Sequence, residues 1–191
     1  MKQIILLATA CITACVSVRA QHVGIGTTTP AFRLDVAGSI NTDSVYRIGG
    51  NTVLTVKGTA NTFTGVQSGI ANSTGTENSA VGYRSLFSNA TGSYNTATGM
   101  EALFANTTGT FNTGIGWHAL RANTTGTANA AMGEALEYNT TGSYNTGLGH
   151  GALYQNTTAD ANTAVGSFAL LSNTTGYSNS AFGVDAMRNN T

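Results

Sequence analysis

The chain has 191 residues, eight Lys and Arg against eight Asp and Glu, and only 8% charged residues, about a third of the usual globular share. So few cations exclude the electrostatic footprint of a nucleic-acid binder and a polybasic membrane patch. Gly supplies 24 residues and Pro one; with abundant Thr, Asn and Ser this excludes charged, Pro-rich disorder and points to repetitive β structure.

The first segment, "MKQIILLATACITACVSVRA", has Lys2, an apolar run from Ile4 to Val18, and "VRA" before Gln21. This is the grammar of a secretory signal, predicted to span residues 1–20 with cleavage after Ala20. The apolar run is shorter than the roughly 20 residues a membrane span needs, so no span is expected. The chain is therefore expected to be secreted or held at a bacterial cell surface. A second reading is a lipoprotein, because "ITAC" ending at Cys15 resembles a lipobox. Cys11 and Cys15 both fall in this segment, so the exported chain holds no disulfide and must be stabilised by packing and backbone ladders.

Residues 21–54 read as a small β leader or cap. "RLDVAGSI" alternates Leu34 and Val36, then Ile40, around a Gly turn, and "SVYRIGGNTVLTV" reads as strand, turn at Gly49-Gly50-Asn51, strand. "GIG" at 24–26 lacks the third Gly and the following helix of a dinucleotide fingerprint.

From residue 55 to 191 the chain repeats. An Asn recurs at Asn61, Asn78, Asn95, Asn112, Asn129, Asn145, Asn162 and Asn179, stepping by 17 residues except for one step of 16. The short step arises where "GEAL" at Gly133 replaces "GxxAL". The unit reads N-T-T-G-x-x-N-T-A-Φ-G-x-x-A-L-x-x, with Φ apolar, in eight copies, and the chain stops inside a ninth. "NTAΦG" alternates with period 2 and predicts a short strand. Φ (Val81, Ile115, Leu148 and Val165 among others) is expected to face inward. The first Thr of "NTA" is expected to point inward as well. The Leu of each Ala-Leu pair (Leu86, Leu103, Leu120, Leu136, Leu153, Leu170) is the second core contact. "GxxALxxN" is compatible with one helical turn or a bent strand. Gly65, Gly82, Gly99, Gly116, Gly133, Gly149, Gly166 and Gly183 follow the strand and suit a corner at positive φ. "NTTG" supplies a second corner, which at Ala159 must tolerate a Cβ.

A unit this small cannot bury its own apolar face, but copies stacked at about 4.8 Å bury Leu on Leu, and eight give a solenoid of roughly 40 Å. The recurring Asn is expected to stack into an amide ladder. The expected fold is thus mainly β: a parallel β-solenoid of about eight 17-residue coils after a small N-terminal β module. Aromatics at Tyr94, Phe111, Trp117, Tyr144 and Tyr177 are candidate contact residues, and a symmetric bundle of solenoids would bury further surface.

"NTAVG" at 162–166, "NSAVG" at 78–82 and "NSAFG" at 179–183 resemble the head repeats of trimeric autotransporter adhesins. The longer "NTTGxxNTAVGxxALxx" unit, with the leader "VGIGTTTPAFRLDVAGSI" at 23–40, is similar to secreted tail-fibre-like repeat proteins of Bacteroidetes. The resemblance implies a left-handed β-roll, assembly as a homotrimer, and an adhesive or structural role toward a host surface or glycan. Two features depart from the adhesins: the period is longer, and no stalk, anchor or polar cap follows the repeats, as in a piece of a longer fibre.

Chemistry is sparse. His22, His118 and His150 come without Cys or grouped carboxylates, so no metal or other cofactor is expected. Glu134 and Glu137 share a coil, but glycoside hydrolysis also requires a cleft. No catalytic residue is assigned, and the expectation is a non-enzymatic rigid spacer with a multivalent contact surface. The alternative is a surface-binding solenoid, for ice through Thr arrays or for carbohydrate through Tyr94, Tyr144 and Trp117.

Overall fold

A computed structural model describes residues 23–25, 34–36, 45–48, 50–55 and 57–190. The predicted export signal at 1–20, with its Ala20 cleavage site and Cys15, lies outside the described residues. Two compact units are present, Met1–Thr42 and Asp43–Thr191. In the first, β1 (Val23–Ile25) pairs in parallel with β2 (Leu34–Val36).

The second unit begins with the predicted hairpin. β3 (Val45–Ile48) and β4 (Asn51–Thr55) run antiparallel, with a bulge between Tyr46 and Arg47. Gly50 makes the turn at φ 80°, a conformation open to Gly without Cβ strain. β4 then pairs antiparallel with β5 (Thr62–Thr64), so the hairpin lies on the end of the repeat sheet.

From there every pairing is parallel. β5 is followed by β6 (Ser79–Val81), β7 (Thr96–Thr98), β8 (Thr113–Ile115), β9 (Ala130–Met132), β10 (Thr146–Leu148), β11 (Thr163–Val165) and β12 (Ser180–Phe182). Each residue pairs with the one 17 positions on, except from β9 to β10, where the offset is 16. The protein is a parallel β-solenoid whose coil is the sequence repeat.

Strands cover only three residues per coil, yet the bonding between coils continues around the turns. The Leu86 amide donates to Ala102 O at 3.0 Å, Ser88 to Phe104 O at 3.0 Å, and Ala90 to Thr107 O at 2.9 Å. Other amides donate the opposite way: Arg84 to Val66 O and Tyr94 to Thr76 O, each at 3.0 Å. The "GxxALxxN" segment is accordingly neither helix nor strand. It is a run of turns in which Leu sits in the left-handed region, at φ 48° to 54° from Leu86 to Leu170.

Each regular coil holds four left-handed residues; one coil has Tyr94, Gly99, Glu101 and Leu103. Such a conformation costs a non-Gly residue about 1–2 kcal/mol. No Val, Ile or Thr occupies any of these positions, although the chain is rich in Thr. β-branching would add a clash, so among the described residues these types occur only where φ is negative. The 16-residue step deletes one left-handed residue, the one equivalent to His118 and Gly151, and Gly133 adjusts to φ 83° while the register survives.

The interior corrects the expected orientation of the strand. The buried strand residue is the central one: Phe63, Ala80, Ala97, Gly114, Ala131, Gly147, Ala164 and Ala181. Φ faces outward, with Val81 45% exposed and Ile115 37% exposed, and Leu148 and Val165 only half-buried. The Thr of "NTA" lies on the same outer face, since residues two apart share a face of a strand; Thr62 and Thr96 are exposed. Size gives the reason. The Leu column (Leu86, Leu103, Leu120, Leu136, Leu153, Leu170) is fully buried and fills the space behind the sheet. A Cβ on Gly114 would already lie 3.4 Å from Leu103 Cγ, and one on Gly147 3.3 Å from Leu136 Cγ.

The first coil inverts this arrangement. Phe63 takes the small residue's place and Gly69 takes the place of Leu. A Cβ on Gly69 would come within 2.4 Å of the Phe63 ring. The interior volume is conserved by exchanging large and small across the coil.

Two Asn columns complete the interior. The predicted one, Asn61 to Asn179, is buried except for half-buried Asn179 at the end of the stack, but it is tied mainly through the backbone. Asn112 N donates to Asn95 Oδ1 at 3.0 Å, and Asn95 Nδ2 donates to Gly109 O of the next coil at 2.9 Å. Amide-to-amide contact occurs there at Asn95–Asn78, Asn129–Asn112 and Asn179–Asn162, each at 3.1 Å. The continuous amide ladder is formed by the Asn of "NTT". Asn89, Asn106, Asn123, Asn139, Asn156, Asn173 and Asn190 each donate to the Oδ1 of the preceding member at 2.7–3.2 Å. The second amide proton goes to the carbonyl three residues on, as from Asn106 to Gly109. The Gly of "NTTG" is required by close approach rather than by positive φ. A Cβ on Gly109 would meet Gly126 O at 2.4 Å. Ala159 is accommodated there and is buried.

Asn106→Ala is expected to lower stability to denaturant by about 1–3 kcal/mol for each buried group left unpaired. Thr108→Ala, exposed in the same turn, is expected to change it by under about 0.5 kcal/mol. In a second test, Phe63→Ala alone is expected to cost about 3–5 kcal/mol. Gly69→Leu alone is expected to destabilise by steric overlap, whereas the double variant, which recreates the pattern of the later coils, should recover most of both losses in a double-mutant cycle.

Candidate contact surface

The outer face of β5–β12 carries two columns. The first runs Thr62, Ser79, Thr96, Thr113, Ala130, Thr146, Thr163, Ser180, and the second is the Φ column from Thr64 to Phe182. Neither contains a charged residue. Beyond the corner Gly, a third column adds exposed Tyr83, Met100, Trp117 and Val184, and it also holds the Glu134–His150 pair. A solvated surface is ordinarily about 25–35% charged, so the two strand columns have the composition of a contact surface.

The other predicted aromatics lie on a different column. Tyr94, Phe111 and Tyr144 occupy the left-handed position before the buried Asn, with Tyr177 one residue earlier in its coil. Tyr94 and Phe111 stack at 4.7 Å with planes 1° apart, as register-matched side chains one coil apart must. Ala128 and Ala161 interrupt this column, so only the Tyr94–Phe111 pair is stacked. Trp117 belongs instead to the apolar face, where it stacks on His118 at 3.8 Å.

A charged cluster surrounds the shortened coil. Glu101 accepts from Arg84 at 3.1 Å and from Arg121 at 2.8 Å. His118 Nε2 lies 3.4 Å from Glu101 Oε2, and His118 Nδ1 lies 3.3 Å from Glu137 Oε1 without the alignment of a hydrogen bond. The hydrogen bond from Arg121 holds the Glu101 carboxyl below its ordinary value, against the opposing effect of burial, with further help from the Arg121, Arg84 and His118 charges. Burial raises Glu137, with the neighbouring Glu134 adding to the rise and His118 opposing it. Tyr154 is pushed up to about 12, first by its hydrogen bond with Tyr138 and then by burial. Arg84 also lies over the stacked Phe87 and Phe104 rings at 4.7 and 4.5 Å.

The two carboxylates of the shortened coil thus take different partners. Glu137 faces His118, whereas Glu134 pairs with His150 at 2.8 Å beside a groove of about 220 Å³ lined also by Tyr154 and Phe168. Among the described residues, no three or more His, Cys, Asp or Glu converge as they would around a metal ion. The sequence links Glu134 and Glu137 only as residues of one coil. The signal that could have joined them was their alignment in adjacent coils around the deleted residue.

The two acids give opposite pH dependences. Glu101 is depressed, so its contribution is fully present above the ordinary Glu value of 4.5 and is lost as pH falls through its lower folded value. Glu137 is raised, so the folded state gains from its protonated form at low pH and is penalised once pH passes its folded value. Glu101→Gln should therefore lower the melting temperature at pH 7, with the loss shrinking as pH falls below 4.5 toward the Glu101 folded value. Glu137→Gln should raise it at pH 7, with the gain vanishing near pH 4. Melting curves across this range check both signs.

Compared with known protein families, curated proteins and solved structures, the chain has no significant match to any of them.

Proposed function

We propose that the protein is a secreted or cell-surface fibre segment: a rigid, non-enzymatic spacer whose uncharged face packs against identical chains, and whose remaining surface makes weak, repeated contacts with a host surface or glycan. The single observation that supports it best is the absence of charge from the two outer columns of β5–β12, where Val81, Ile115, Met132 and Phe182 are exposed. Every coil offers two uncharged outer residues at the same height. A second copy laid alongside in register therefore meets an uncharged strip along the whole sheet, which suits a closed symmetric assembly. Three chains are the number the adhesin-like repeat words imply. Repetition along the axis also multiplies any single weak contact.

A second reading, binding to an ordered surface such as ice, gains from the outward direction of the Thr column. It gains also from an uninterrupted row of exposed Thr at Thr74, Thr91, Thr108, Thr125, Thr141, Thr158 and Thr175. The mixed sizes of the Φ column count against the strand face as the ice template. Ice recrystallisation in the presence of the protein separates the two readings.

Sedimentation velocity of the chain from Gln21 onward is expected to give three times the monomer mass. The Val81→Asp/Ile115→Asp double variant is expected to be monomeric, and Thr108→Asp, on another column, to leave assembly intact. A monomer of the unaltered chain at micromolar concentration would remove the assembly part of this reading.

A further inference from the structure

Residues 45–190 contain five cations. Arg84 and Arg121 are paired with Glu101, and Arg188 with Asp185 at 2.9 Å. The other two, Arg47 and Lys57, have no carboxylate within ion-pair distance among the described residues, and both line one groove of about 450 Å³. The groove lies between the β3–β4 hairpin and the first coil. Its volume is within the range of about 300–1,000 Å³ typical of small-molecule sites.

The chemistry of the lining is selective. Arg47 brings a fork of N–H donors suited to a carboxylate. Lys57 Nζ donates one proton to Ile70 O at 3.1 Å and keeps two for a ligand. No acid lines the groove, so nothing opposes an anion. Asn51, Thr55 and Gln67 add neutral amide and hydroxyl groups, and Val66 and Ile70 add an apolar patch, Ile70 being exposed. A bare anion would use the two cations alone. A ring carrying a carboxylate, several hydroxyls and a C–H face would use all three kinds of group.

We infer that this groove binds an acidic saccharide, a sugar ring bearing a carboxylate such as a uronic acid. The carboxylate sits between Arg47 and Lys57, the hydroxyls meet Asn51, Thr55 and Gln67, and the ring face lies on Val66 and Ile70. The inference goes beyond the fibre reading and does not require the chains to associate.

The test is calorimetric titration of the full-length chain with methyl glucuronide, methyl glucoside and inorganic phosphate. Saturable glucuronide binding is expected, with the glucoside and phosphate at least about tenfold weaker, as the loss of a charge-assisted bond or of the ring contacts requires. Arg47→Gln and Lys57→Gln, each with an unchanged melting curve, should weaken glucuronide by about tenfold or more, and Lys57→Arg should retain most of it. Absence of glucuronide binding, or indifference to the Gln variants, overturns the site. Equal affinity for the glucoside overturns the role of the cations, and equal affinity for phosphate reduces the groove to a plain anion site and overturns the saccharide assignment.

Discussion

Most backbone hydrogen bonds of the repeat unit leave their own coil, the remainder being three-residue turn bonds such as Asn106 N to Leu103 O. Most carbonyls and amides of one turn are satisfied by the turn above or below, about one 17-residue repeat away. Buried backbone groups must be paired, so no coil can close its own ledger. Conformations that would be unfavourable in isolation, four left-handed residues per regular coil among them, are held because the bonded neighbours over-determine them. The constraint also explains the intolerance of the corners. Where coils approach within hydrogen-bonding distance all the way round, a single Cβ on Gly99 would fall 2.3 Å from Gly116 O.

The same constraint sets what lies inside. A coil with so small a cross-section has room for one Leu, two small residues and two Asn, and the Asn are admitted because stacking supplies their partners. Among the described residues, three buried side-chain atoms lack a hydrogen bond, and none belongs to an Asn. Polar residues fill part of the interior, so the larger apolar side chains of the strand are displaced to the outer face. The apolar surface that supports the assembly reading is thus a consequence of how the coil is packed. The charged cluster around the shortened coil has a related origin: alignment from coil to coil places Arg84, Glu101 and His118 one above the next, the deletion removes the next member of that column, and Glu137, which follows Arg121 in the neighbouring column, lies against His118.

The period, the strand position and the corner Gly were legible because each recurs in every copy with one geometric job. The direction of the strand was not. Period-2 alternation says that Thr96 and Thr98 share a face, but either face is compatible with it. Hydrophobicity argued for Φ inside, and the size limit imposed by Leu across the coil decided for Ala97 instead. Only part of the amide ladder was legible: the predicted Asn column is linked through Asn N–H to Oδ1 bonds and three amide contacts, the continuous side-chain ladder runs along the other column, and both repeat equally well, so only the geometry of the turn distinguishes Asn106 from Asn112. Two signals were available and carried information. The absence of β-branched residues at the positions of Tyr94, Glu101 and Leu103 marks the left-handed corners. The paired exchange of Phe63 with Gly69 marks two positions that touch. The groove beside Arg47 and Lys57 was beyond reach of the repeat pattern, since it forms where the hairpin meets the first coil.

Site-resolved amide hydrogen exchange tests the stacking most directly. If bonds between coils run around the whole circumference, the turn amides of Leu103, Ala105 and Thr107, which donate to Ala119, Arg121 and Thr124, will be protected as strongly as the strand amides of Thr96 and Thr113. Protection confined to the three-residue strands, with turn amides exchanging freely, would contradict a solenoid held together by its neighbouring coils.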